Sequence, residues 1–351
     1  VETMTAAQRV RADQQTHCRQ VDGGAIGWVT GPEQDSQVPS VLERDGNVLL
    51  LTGAPIDLHG GLAQRLADAA PMEFRDAARQ LSQLDGPFAG TFWDARSKTL
   101  AIVTDPLGLQ PLYIRYDDAG LLLATELKAF PAAGVPVEMD AAGWGAFVAL
   151  GYMIGDDTLL AGVKRVSPAT ISLYEAGENR LDRETYWSWP ALGSSESLRE
   201  ADTEGLVEAM RREVRAYEQH ATGGTVLLSG GFDSRITLAV LREQGANPEA
   251  LILAHKDEWG GVDGRCAVAA ARRLNTPYRV EEGHRGFYSS KSYLDYLVMN
   301  EVLTPSLYLF IAQVADHFDP EMRVVWDGSP PGYGFVPAFL PPGGFEVFRR
   351  H

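Results

Sequence analysis

Short apolar runs separated by glycine, proline and acidic residues fill the first third of the chain. Ala25-Ile26-Gly27-Trp28-Val29 and Val48-Leu49-Leu50-Leu51 read as strands, the first of them opening the β structure. Between Gln64 and Leu84 apolar residues recur at helical spacing, which predicts a helix. The pattern changes in the second half. Thr225 to Leu228 predicts a buried strand, Ile236 to Leu241 a helix, and Ala250 to Ala254 a second, parallel strand. A polar loop is expected from His255 to Glu258, followed by a helix from Ala267 to Leu274, with Phe232 packed in the core. Ser188 to Glu204 reads as a linker, and Pro330 to Gly344, dense in proline and glycine, as a loop.

Between the strand at Thr225 and its helix stands Ser229-Gly-Gly-Phe-Asp-Ser-Arg235. A glycine-rich turn opening a helix presents backbone N–H groups at the positive end of the helix dipole, a geometry that binds phosphate. The Walker spacing is absent, and so is Gly-x-Gly-x-x-Gly. Ser229, Gly230, Gly231 and Ser234 are the candidate cradle. Asp233 suits Mg²⁺, whose hard oxygen preference matches a carboxylate beside phosphates, and equally a helix cap. Arg235 can reach a phosphate or a substrate carboxylate, or stand solvated in the first turn.

Composition narrows the field. With 351 residues, 45% of them hydrophobic, the chain suits two packed domains. No apolar run reaches the roughly 18 residues of a membrane span, and Val1 to Gln20 lacks an apolar signal core. Cys18 and Cys266 show no metal-type spacing, which fits a reducing cytoplasm. A net charge of −16 weighs against a nucleic-acid partner. The basic group Arg211, Arg212 and Arg215 is expected on a solvated helix face.

Ser229-Gly-Gly-x-Asp-Ser resembles the pyrophosphate loop of the ATP pyrophosphatase superfamily. Upstream, Leu84-Asp-Gly-Pro-Phe-Ala-Gly-Thr-Phe-Trp-Asp94, Leu100 to Tyr113 and Leu121 to Ala129 are similar, in order, to the glutaminase domain of asparagine synthetases. Leu150 to Leu159, Gly162 to Pro168 and Tyr186-Trp187 resemble that family's connecting segment. The resemblance implies an α/β protein: an Ntn-type αββα sandwich over residues 1–187, then a doubly wound parallel-sheet ATP pyrophosphatase domain over 205–351. It implies ATP and Mg²⁺, with Leu227 and Leu253 flanking adenine and Asp233 in the phosphate site. Relatives carry a second magnesium-binding aspartate after a later strand; Asp327 is the candidate here. β-Lactam-forming relatives pair a tyrosine with a glutamate, for which Tyr333 and Glu301 are candidates alongside ordinary packing roles.

The sequence departs from the family where glutamine would be cleaved. Gly24 stands where the nucleophilic cysteine is expected, Thr52-Gly53 replaces the asparagine-glycine pair, and the arginine near Thr104-Asp105 is missing. Relatives also continue with further helices and a lysine beyond the position of Arg350-His351; either that part lies outside this sequence or the protein departs from the family there. The first domain is therefore expected to be a remnant without glutaminase activity. Cysteine-lacking branches include β-lactam synthetases and lasso-peptide macrolactam cyclases. The expected function is amide or lactam formation through an acyl-adenylate, on a peptide or small-molecule carboxylate and amine, with a lean toward the peptide. An ATP-binding pseudoenzyme is the alternative.

Overall fold

The computed structural model describes residues 1–9, 14–30, 40–57, 74–189, 200–220, 224–254, 258–301, 312–313 and 325–328. The chain divides into two units, Val1–Ser194 with Leu297–Ser306 and Ser195–Tyr296 with Leu307–His351. The first unit begins with α1 (Glu2–Ala7) and the strands β1 (Gln15–Val21), β2 (Gly24–Thr30), β3 (Val41–Arg44) and β4 (Asn47–Gly53). After α2 (Phe74–Leu81) come β5 (Phe88–Asp94), β6 (Thr99–Thr104), β7 (Tyr113–Asp117) and β8 (Gly120–Ala124). Two helices, α3 (Ala129–Ala132) and α4 (Ala141–Leu150), precede β9 (Lys164–Arg165), β10 (Thr170–Glu175) and β11 (Arg180–Thr185).

Alternation along β6 sets the layers, because successive side chains of a strand point to opposite faces. Ala101 and Val103 face α2, packing with Ala78, Leu81, Leu49, Leu51 and Phe88. Ile102 faces the other way, against Leu112 and Ile114. The next residue along β7, Tyr113, turns outward again to Met4 of α1 and Phe130 of α3. The result is helix, sheet, sheet, helix. The first sheet has the order β11-β10-β6-β5-β4-β3 and the second β8-β7-β9, all pairings antiparallel. This is the αββα sandwich implied by the resemblance.

One element departs from expectation. The polar stretch around Cys18 is β1, which pairs with β2 through an Asp22-Gly23 turn in which Gly23 has φ +88°. An Asp-Gly turn between pairing segments is a hairpin signal, but β1 is mostly exposed. It therefore lacks the apolar alternation by which strands are recognised.

The second unit holds α5 (Glu200–His220), β12 (Thr225–Leu227), α6 (Phe232–Glu243), β13 (Glu249–Ala254), α7 (Glu258–Arg273), β14 (Tyr278–Glu282), α8 (Lys291–Asn300) and β15 (Val325–Trp326). The unit boundary falls within α8. Its four described strands are all parallel, in the order β14-β13-β12-β15. Val226, Ala250 and Ile252 form the core with Leu238 and Leu241 of α6 and Ala267 and Ala271 of α7. Helix α7 starts at Glu258, well before the expected Ala267. Gly260, Gly261 and Gly264 interrupt its apolar pattern and carry poor helix propensity, which packing against β13 overrides.

Candidate functional site

Successive parallel strands run from β12 through β13 to β14, whereas β15 pairs on the opposite side of β12. The strand order reverses at β12, and ligands of open α/β sheets bind outside the carboxyl ends of strands at such a switch point. The loop that begins with Ser229 follows the carboxyl end of β12.

The loop is held by its own hydroxyls. Ser234, 5% exposed, accepts the Ser229 N–H on Oγ at 3.0 Å, and its Oγ lies 3.0 Å from Ser229 Oγ. Gly231 donates its N–H to Ser229 Oγ at 3.2 Å. Gly230 donates its N–H to Oδ1 of Asp263 on α7 at 2.9 Å. Gly231 is the N-cap of α6 and supplies no side-chain cap. The first-turn N–H groups of α6 therefore lack intrahelical acceptors, as at any helix start.

The charged and apolar candidates distribute around this turn. Asp233 is half-buried in the first turn of α6. Arg235 folds back, donating from Nε to the Gly231 carbonyl at 2.8 Å and stacking its guanidinium 4.8 Å from the Phe232 ring centre. Phe232 is 67% exposed, so the expectation that it fills the core is corrected. It stands at the first position of α6, and the arginine covers one ring face. Leu227 and Leu253 are half-buried near the ends of their strands, whereas Val226 and Ile252 carry the core.

Asp327 is exposed directly after β15. Its neighbour Gly328 is buried against the start of α6, where an added Cβ would lie 2.5 Å from the Ser234 nitrogen and 3.0 Å from the Asp233 carbonyl carbon. The structure thus brings the end of β15 to the loop. Among the described residues no three His, Cys, Asp or Glu side chains gather as a metal cage.

Glu301 belongs to the first unit. Its carboxylate accepts the N–H groups of Leu127 and Lys128 at 2.6 and 2.8 Å, at the start of α3. Burial pushes its pKa above the ordinary carboxylate value, and the two backbone bonds pull the other way. Tyr333 lies outside the described residues, as does the Pro330–Gly344 segment. Arg211 is paired with Glu243 through two bonds of 2.8 and 3.0 Å.

In the first unit Gly24 begins β2 beside the hairpin turn, and Cys18 stands exposed in mid-strand opposite Gly27. Thr52 borders a cavity of about 440 Å³ lined also by Ile26, Leu50, Leu112, Leu122 and Glu126. Asp105, 1% exposed, accepts four backbone N–H groups: Leu107 and Leu109 on Oδ1, Gln110 and Phe88 on Oδ2. The sequence did not single out this role, although Asp105-Pro106 and Gly108 form a recognisable turn signal.

These features define a two-unit α/β protein, an Ntn-type sandwich followed by a parallel sheet with a glycine-rich loop at its switch point. A family model described as a glutamine amidotransferase domain matches residues 74–187. A putative glutamine-hydrolysing asparagine synthetase of Mycobacterium bovis is 24% identical over 286 residues, which are 77% of this chain and 41% of that protein. Amidase chry2 of Gibberella zeae is 30% identical over 161 residues, 44% of this chain and 23% of that one. The chain thus spans less than half the length of these relatives. Among solved structures, a Bacillus subtilis glutamine phosphoribosylpyrophosphate amidotransferase aligns over 80% of this chain and 62% of its own, with 13% identity and a TM-score of 0.35. The domain match and these relatives support an asparagine synthetase-like family.

Among the described residues no helix is long and apolar enough to cross a membrane.

Proposed function

We propose that this protein is an ATP-dependent ligase that activates a substrate carboxylate as an acyl-adenylate and joins it to an amine without hydrolysing glutamine. The observation that carries the reading is the loop Ser229–Ser234, which opens α6 at the switch point of a parallel sheet. Its uncapped helix start offers N–H donors to phosphates, and the half-exposed strand ends at Leu227 and Leu253 offer an apolar shelf for adenine. The carboxylate oxygen attacks the α-phosphorus of ATP and pyrophosphate departs; the amine then attacks the acyl carbon and AMP departs.

Asp233 in the first turn and Asp327 at the end of β15 are the carboxylates that would hold Mg²⁺, which takes one or two carboxylates plus phosphates rather than a full protein cage. Bound there, the ion neutralises phosphate charge. The protein's own part is positioning. Arg235, tethered to the Gly231 carbonyl, presents a cation at the mouth of the loop for a phosphate or the substrate carboxylate.

The nitrogen source follows from the first unit. Cys18 lies within a paired strand, so its amide nitrogen is no free amine, and Gly24 carries no thiol. The amine therefore comes with the substrate, either a peptide closed into a macrolactam or a small amino acid closed into a lactam. The lean toward a peptide rests on the family resemblance alone.

In an assay with ATP, Mg²⁺ and a panel of peptide and amino-acid carboxylates, pyrophosphate release is expected to depend on substrate. Asp233→Ala is expected to lower it by about 100-fold, the scale of removing one electrostatic stabiliser. Glutamine alone is expected to yield no glutamate. Glutamate formed at a rate that Cys18→Ala abolishes, or pyrophosphate release unchanged in Asp233→Ala, contradicts the reading.

A further inference from the structure

One side chain reaches the glycine loop from a separate element. Asp263 stands in the second turn of α7, and its Oδ1 takes the Gly230 N–H at 2.9 Å. The two backbones are also in near contact. A Cβ on Gly230 would lie 2.7 Å from the Asp263 carbonyl oxygen and 3.0 Å from its Cα, so only glycine lets the loop approach the helix this closely.

We propose that Asp263 is a positioning residue for the phosphate loop. It anchors the Ser229–Gly230 peptide to α7 and so fixes the direction in which the start of α6 presents its N–H donors. The inference rests on the nucleotide reading of the loop given above.

Adjacent glycines leave a loop with wide backbone freedom, and that freedom must be lost when a ligand is held. The N–H groups of Ser229 and Gly231 are tied within the loop, by Ser234 and Ser229 hydroxyls. Those bonds set the loop's internal shape but not its orientation on the sheet. The bond from Gly230 to Asp263 supplies that link, and a charged acceptor makes it stronger than a neutral one. It also commits the Gly230 N–H to α7, which leaves the first turn of α6 as the phosphate donor group. Asp263 acts here through Gly230.

The test compares Asp263→Ala, which has no acceptor, with Asp263→Asn, whose Oδ1 still accepts the N–H. Two readouts are taken on the full chain. The first is amide hydrogen exchange at Gly230 without nucleotide, and the second is ATP affinity by titration. Asp263→Ala is expected to speed Gly230 exchange and weaken ATP binding, each by about 10-fold, the equivalent of one hydrogen bond. Asp263→Asn is expected to keep both within about threefold of wild type, because a neutral, somewhat weaker acceptor bond survives. Should Asp263→Ala fail to fold, Asp263→Ser takes its place, since its shorter side chain falls short of Gly230.

Unchanged exchange in Asp263→Ala overturns the inference. Equal losses in the alanine and asparagine variants also overturn it, because charge rather than the hydrogen bond would then be what matters. A wild type that binds no ATP contradicts the nucleotide reading instead, and Gly230 exchange still decides whether Asp263 anchors the loop.

Discussion

Asp105→Ala is expected to lower the melting temperature of the first unit by on the order of 10 °C. The carboxylate is 1% exposed and is the shared acceptor for Phe88, Leu107, Leu109 and Gln110 N–H groups. Alanine would leave those donors without this acceptor, and the Phe88 N–H lies in a buried bond. Each unsatisfied buried donor costs about 1–3 kcal/mol, part of which relaxation recovers, so a net loss of about 3–5 kcal/mol is expected. The damage would spread, because the main chain of Asp105 also bonds Phe88, Gly108 and Ala169 and so joins β5 to the start of β10. Asp105→Asn keeps the shape but turns an amide NH₂ toward two of the donors, and is expected to fall between wild type and alanine. Thermal denaturation checks the series. A shift below about 2 °C for Asp105→Ala, less than one hydrogen bond's worth in a unit of this size, would show that the loop does not depend on the carboxylate.

Gly328→Ala is expected to weaken ATP binding by at least about 10-fold, although residue 328 lies outside the glycine loop itself. A methyl group there would come within 2.5 Å of the Ser234 nitrogen and 2.9 Å of its Cα. Both are backbone atoms at the start of α6, so the contact cannot be relieved by turning a side chain. Either β15 withdraws or the first turn of α6 shifts, at about 1–3 kcal/mol for overpacking of this kind. Either movement displaces the N–H donors from the geometry that holds a phosphate. Gly205→Ala is the control, since a Cβ there meets nothing within 4 Å. ATP titration of both variants decides. Wild-type affinity in Gly328→Ala would mean that the end of β15 and the loop are not coupled.

The two halves of the chain were not equally legible in the sequence. Strands such as β4 and β6 could be read because most of their positions are buried or half-buried, which forces an apolar run. β1 could not, because a hairpin ribbon with both faces largely exposed imposes no such pattern. The front of α7 was hidden by glycines whose low helix propensity is overridden by packing on β13. The glycine loop was legible because its chemistry is local, with strand, turn and helix start lying within a dozen residues. Asp263 was not, since its partner Gly230 stands 33 residues away and no local signal joins them. Asp105 carried a turn signal but none for burial, and Phe232 was misplaced because an aromatic at the first position of a helix need not face inward.

The central claim is that a carboxylate oxygen attacks the α-phosphorus of ATP, and isotope transfer tests it most directly. With substrate labelled with ¹⁸O in the carboxylate, one labelled oxygen is expected in AMP for each amide formed, with pyrophosphate unlabelled. Label in inorganic phosphate, with ADP as the other product, would contradict the account.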